Sequence, residues 1–160
     1  MATLLALLVT LTLDPLQAPI PATHISKDEA AAVLDESMAK GTIDRPIKSS
    51  DVLGGKASVA MLHRVKPETS ALSHDRVTET YYILQGSGTI VTGGVLGNAK
   101  PTDLSRVNAG MSQTGVRQGG DSRKVGPGDI IIIPAGTPHS FSELDGPISY
   151  LVYRFEPSAK

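Results

Sequence analysis

The sequence predicts an all-β fold, an antiparallel sandwich or barrel with one short N-terminal helix. Three observations carry that prediction. Gly occurs 16 times and Pro 11 times in 160 residues, against 4% aromatic, a turn-rich composition. Short β-type runs recur at close intervals between those turn residues. Only one segment carries a helix start, a helical apolar stripe and a stop.

That segment opens at Ser26-Lys27-Asp28-Glu29, a capping box in which Ser26 caps first-turn amides and Glu29 reaches back. Ala30, Ala31, Val33, Leu34 and Met38 follow at mixed i+3 and i+4 spacings, and Gly41 supplies the stop, so a helix is predicted over 27–40. Its narrow apolar stripe must pack on a sheet face or edge.

Upstream, Thr3 to Leu13 (TLLALLVTLTL) carries no formal charge. It falls short of the roughly 20 residues that span a bilayer as a helix, so no stable membrane span is expected. The run suits the apolar core of a secretory signal ending near Ala22, which predicts export. An N-terminal β-strand in a cytoplasmic protein is the alternative, because Val9, Thr10 and Thr12 favour extended structure. The chain thus divides into a signal or extension over 1–22, helix and linker over 23–56, and a barrel over 57–160.

Ala57 to Val65 alternates as a half-buried strand, and the more apolar set, Val59, Met61, His63 and Val65, is expected to face the interior. Thr80–Leu84 and Gly88–Thr92 read as strands joined by a hairpin turn at Gln85-Gly86-Ser87. The stretch from Gly93 to Gly126 has little periodicity and is expected to be a lid or a disordered insertion. Ile130–Ile133 is continuously apolar, which predicts a strand covered on both faces, its outer one by the N-terminal segment, the helix or a partner subunit. Ile148–Phe155 is the last strand.

Charge and cysteine content limit the chemistry. Fifteen Lys plus Arg balance 16 Asp plus Glu, a net charge of −1 that offers no footprint for nucleic acid. With no Cys, disulfides, thiolate nucleophiles and Cys-ligated zinc or iron–sulfur sites are excluded. Any metal site must use nitrogen and oxygen, and there are only four His.

Two strings carry the chemistry. His74-Asp75-Arg76-Val77-Thr78-Glu79 is followed by Gly86, and Gly128-Asp129 leads through four Ile to Pro134-Ala135-Gly136-Thr137-Pro138-His139. Pro134 ends a strand because it cannot donate to the ladder, and Ala135-Gly136 turns the chain so that His139 begins the next strand. Two imidazoles and one carboxylate brought together in a buried place have few stable uses besides holding a metal, since an unpaired buried carboxylate is costly.

Over residues 57–155 the chain resembles the cupin family, whose motifs are G-x5-H-x-H-x3–4-E-x6-G and G-x5-P-x-G-x2-H-x3-N. The second motif fits from Gly128 through His139 at every spacing; the first fits at His74, Glu79 and Gly86. The resemblance implies a cupin-type β-barrel or jelly roll in which His74, Glu79 and His139 hold one divalent metal, Fe, Mn, Ni, Cu or Zn. It implies a small-molecule ligand, a metal-dependent oxygenase, isomerase or lyase, and a homodimer; a non-catalytic, metal-free binding barrel is the alternative. The family's first histidine position is Leu72 here, its opening glycine is Lys66, and its closing Asn is Glu143. Three ligands therefore remain of four. His63 is a candidate replacement ligand, pocket group or core histidine, and Tyr81, Phe141 and Glu143 are candidate pocket residues by alternation with Glu79 and His139.

Overall fold

The computed structural model describes residues 19–159. The apolar run Thr3–Leu13, read above as a signal or a strand, lies outside them. The helix α1 spans Lys27–Lys40; Ser26 Oγ accepts from the Glu29 amide at 3.1 Å, and Gly41 closes the helix with φ 62°. No helix of the described residues is long and apolar enough to cross a membrane.

Eleven strands follow: β1 (Asp44–Val52), β2 (Gly55–Arg64), β3 (Ala71–His74), β4 (Thr78–Gln85), β5 (Gly88–Thr92), β6 (Val95–Asp103), β7 (Met111–Gln118), β8 (Asp121–Val125), β9 (Ile130–Ile133), β10 (His139–Leu144) and β11 (Ile148–Pro157). They form a five-stranded sheet, β1-β2-β11-β4-β9, and a six-stranded sheet, β6-β7-β3-β10-β5-β8. Every pairing is antiparallel. Between the sheets lies one apolar cluster, with Leu62, Ile83, Ile133, Tyr150 and Val152 from the first and Ile90, Val125 and Phe141 from the second. In β2, β4 and β11 inward residues alternate with outward ones, so these strands give the core every second side chain.

The structure corrects several sequence expectations. The turn at Gln85-Gly86-Ser87 is not a hairpin: β4 pairs with β11 and β9, whereas β5 pairs with β10 and β8. The chain changes sheets there, and Gly86 (φ 76°) packs so tightly that a Cβ would lie 2.1 Å from the Pro147 carbonyl oxygen. The stretch 93–126 is neither lid nor disordered; it holds β6, β7 and β8 in the six-stranded sheet. These strands bury little apolar surface, so their alternation is mute in sequence, and pairing alone defines them. The segment before the barrel is likewise not only linker, since β1 pairs with β2 along its length.

Among the described residues of a single chain, the Ile130–Ile133 strand is covered on one face only. Ile133 is buried, while Ile130 and Ile132 are 65% and 68% exposed at the edge of the five-stranded sheet. In β2 the inner and outer faces are the reverse of the expectation: Ala60 and Leu62 enter the core, and Met61 and His63 lie on the opposite side, against which α1 packs. The helix buries Met61 from outside, so hydrophobicity alone did not distinguish the two faces.

Candidate metal centre

β3 ends at His74, β4 begins beside Glu79, and β10 begins at His139. His74 and His139 come from the six-stranded sheet and Glu79 from the five-stranded one, so the three meet across the barrel interior. All three are buried, and one potential ligand atom from each lies within 4.8 Å of the others. Pro134 and the turn after it place β10, and the Gly136 amide donates to the His74 carbonyl at 2.7 Å, tying the turn to β3.

Hydrogen bonds fix which ring nitrogens face inward. The Nδ1 of His139 lies 3.0 Å from the Thr137 carbonyl oxygen, which can only accept, so Nδ1 carries a proton. The Nδ1 of His74 lies 2.8 Å from Ser112 Oγ. That hydroxyl donates its one hydrogen toward the Ala109 and Gly110 carbonyls, each at 3.2 Å, and so accepts from His74. Both rings therefore turn Nε2 toward Glu79 Oε2, each at 3.3 Å. Three acceptor atoms converge, and convergence of that kind is stable only with a cation between them, a proton or a metal.

The carboxylate is anchored from behind. Arg154 donates from Nε to Glu79 Oε1 at 2.7 Å, and Tyr81 donates its hydroxyl to Oε2 at 2.9 Å. Arg154 also pairs with Asp44 Oδ2 at 2.6 Å and donates to the Val107 carbonyl at 2.6 Å. Burial alone would raise the Glu79 carboxyl; hydrogen bonds with His139 and His74 and the Arg154 charge overcome it and hold the group well below the usual carboxylate range. Burial opposes charge on His139, but the Glu79 hydrogen bond and charge outweigh it and raise its pKa. Burial, then the Glu79 charge, pushes the Tyr81 phenol far up, so it stays a proton donor.

A cavity of about 40 Å³ adjoins the three residues, with Arg64, Glu68, Leu72 and Tyr81 among its lining. A larger groove of about 850 Å³ runs on the outer side, between residues 20–25 and the β1–β2 hairpin. None of the three residues lines it, and it holds no comparable convergence of donors.

The remaining candidates separate. Tyr81 reaches the cavity. Phe141 packs in the core against Tyr150, with ring centroids 5.4 Å apart. Glu143 is exposed and accepts from Thr89 Oγ1 at 3.1 Å, because a bulge between Phe141 and Glu143 breaks the alternation after His139. His63 does not face the cavity; its Nδ1 lies 2.8 Å from Ser149 Oγ on the outer side of β2. Arg64, Glu68, Asp44 and Arg154 escaped the sequence reading as site residues. The available signal was an Arg inside each apolar run, AMLHRV and ISYLVYRF, where a buried cation requires a carboxylate partner.

No protein-family model and no curated protein matches the sequence. Among solved structures, the protein BH2720 of Bacillus halodurans superimposes with a TM-score of 0.53 at 16% identity, over 90% of this chain and 87% of its own. A cupin protein of Bacteroides fragilis is 21% identical with a TM-score of 0.40, over 66% of this chain and 70% of its own. A cupin superfamily protein of Desulfitobacterium hafniense is 16% identical with a TM-score of 0.42, over 71% and 76%. At such identities the likeness is one of fold. Two antiparallel sheets enclosing one core, with the two motif strings meeting between them, make this chain an all-β jelly roll with a cupin-type fold.

Proposed function

We propose that the protein holds one divalent metal through His74, Glu79 and His139 and acts on a small molecule as a metal-dependent enzyme. The observation that carries the proposal is the pair of Nε2 atoms, each 3.3 Å from one buried carboxylate oxygen, with both Nδ1 atoms engaged elsewhere. Two His and one carboxylate form a set that suits non-haem Fe(II), Mn, Ni, Cu or Zn. A metal in that place supplies Lewis acidity or a redox couple.

The chain's own residues do the rest. Ser112 and the Thr137 carbonyl hold the two rings in one tautomer and one orientation. Arg154 keeps Glu79 ionised and fixed, and Tyr81 holds a proton beside Oε2. Leu72 lines the cavity where the family places a further histidine, which leaves that side apolar.

Metal analysis of tag-free protein, as purified and after incubation with Zn²⁺, Mn²⁺ or Fe²⁺, tests this. One equivalent per chain, abolished in His74→Ala, is the expected result. Absence of stoichiometric metal under every condition overturns it in favour of a metal-free binding barrel. That second reading draws on Glu79 already being satisfied by Arg154 and Tyr81.

We further propose that a second copy of the chain covers the outer face of the five-stranded sheet. Ile130, Ile132, Tyr82 and Tyr153 stand exposed there on three neighbouring strands.

A further inference from the structure

We infer that Arg64 reads the negative charge of the small molecule at this site, and that the ligand group beside the metal is a carboxylate. The inference rests on the metal reading above. Arg64 continues the inward face of β2 after Ala60 and Leu62, and its side chain lines the same cavity as His74, Glu79 and His139. It is held from two sides: Nε donates to the Tyr150 hydroxyl at 2.8 Å, and Nη2 pairs with Glu68 Oε1 at 3.0 Å. Glu68 is itself pinned, since its Oε2 accepts from the Phe141 amide at 2.8 Å. Nη1 makes no hydrogen bond or ion pair among the described residues. A guanidinium fixed in this way has its donors oriented before any ligand arrives.

Stability does not account for placing it there. A buried ion pair seldom improves on apolar side chains of the same volume. Charge around the cavity supplies a reason. Asp44, Glu68 and Glu79 outnumber Arg64 and Arg154 by one, so the site is short of one positive charge. A divalent ion reverses the balance and leaves one positive charge in excess, which a monoanion neutralises. Size narrows the class. A cavity of about 40 Å³ has room for only a few waters at roughly 10–15 Å³ each, so it admits one small polar group while the rest of the ligand stays outside. A carboxylate matches that size and the planar donor geometry of Arg.

The test is an NMR titration of the Zn²⁺-loaded protein with sodium acetate and, in parallel, with neutral acetamide at constant ionic strength. Acetate should bind saturably and acetamide should not. Arg64→Gln should weaken acetate about tenfold or more while leaving zinc affinity within about threefold. Glu68→Gln keeps an acceptor for the Phe141 amide, leaves Arg64 held by Tyr150 and removes the negative charge that competes with a ligand anion, so it should tighten acetate several-fold; this variant keeps the test decisive if Arg64→Gln does not fold. Equal binding of acetate and acetamide, or acetate binding unchanged in Arg64→Gln or in Glu68→Gln, overturns the inference while the metal site stands. Failure of the wild type to take up zinc overturns the metal reading and this inference with it, and metal analysis separates that case from the others.

Discussion

Arg154 and Glu79, 75 positions apart in the chain, meet with Nε 2.7 Å from Oε1, and their side chains are 3% and 1% exposed. The contact joins β11 to β4 inside the barrel. It also adds to the histidine hydrogen bonds in holding the carboxylate ionised. Removing the guanidinium leaves a buried carboxylate that has lost a permanently charged partner, and the carboxylate must then take up a proton or pull the fold apart. Arg154→Met should therefore destabilise the metal-free protein by about 3–5 kcal/mol in urea unfolding. The companion Glu79→Gln, added to Arg154→Met, should recover part of that loss. Independent, additive effects of the two changes would show that the pair is not coupled.

Ser112 touches no ligand position directly, yet it sets which nitrogen of His74 faces inward. Ser112→Ala removes the acceptor of the Nδ1 proton and lets the ring rotate or change tautomer. Metal affinity should drop about 10- to 100-fold, as it does when partners of ligating histidines are lost. Isothermal titration with Zn²⁺ reads the change, and an affinity equal to wild type would mean the ring is held by packing alone.

The parts of this molecule that were legible in sequence are those with strong local chemistry. The Ser26 cap and Gly41 bound α1 at 27 and 40 because caps act through neighbouring backbone groups, whereas Glu29 turns to Lys48 instead of reaching back to Ser26. The strings around His74, Glu79 and His139 brought three buried side chains together because turn residues fix where each strand starts. The face of β2 was not legible, since a helix packing from outside buries Met61 as completely as the barrel buries Leu62. The destination of Gln85-Gly86-Ser87 was not legible either: a glycine turn looks the same whether it closes a hairpin or carries the chain to the other sheet. Arg154 and Arg64 went unassigned because their partners, Glu79 and Glu68, come near only through long-range pairing.

Acidity should act on the metal-free and metal-loaded proteins in opposite directions. His139 is buried against Glu79, with Tyr81 beside the same carboxylate and Glu68 adding negative potential, and its pKa is raised above 6.5. Its contribution to metal-free stability is therefore complete below 6.5 and is lost as pH rises through the raised value. Glu79 runs the other way: its lowered pKa stabilises above the usual carboxylate range, and that contribution is lost only as pH falls through a value well beneath it. Between about pH 5.5 and 8 the histidine governs. Thermal melts in EDTA should rise as pH falls across that interval. Metal must displace the same proton, so zinc affinity should fall across it. A metal-free melting temperature that is flat or increases with pH would contradict the raised His139 value.

The exposed face of β9 gives the last prediction. Ile130 stands opposite Tyr82, and Ile132 opposite Thr80, which in turn stands opposite Tyr153 of β11. Apolar side chains thus run across three strands and remain 45–68% exposed among the described residues, although Ile131 and Ile133 on the other face of the same strand pack inward. Water contact at such a stripe is unfavourable by about 25 cal/mol for each Å² left uncovered, and a two-fold pairing of identical faces removes it on both copies at once. Sedimentation equilibrium of the wild type should give twice the chain mass. Ile132→Lys should give the chain mass with an intact fold, because the substituted side chain already points to solvent in the isolated chain. A wild-type monomer at micromolar concentration would mean that this face is left to water or covered by something other than a second copy.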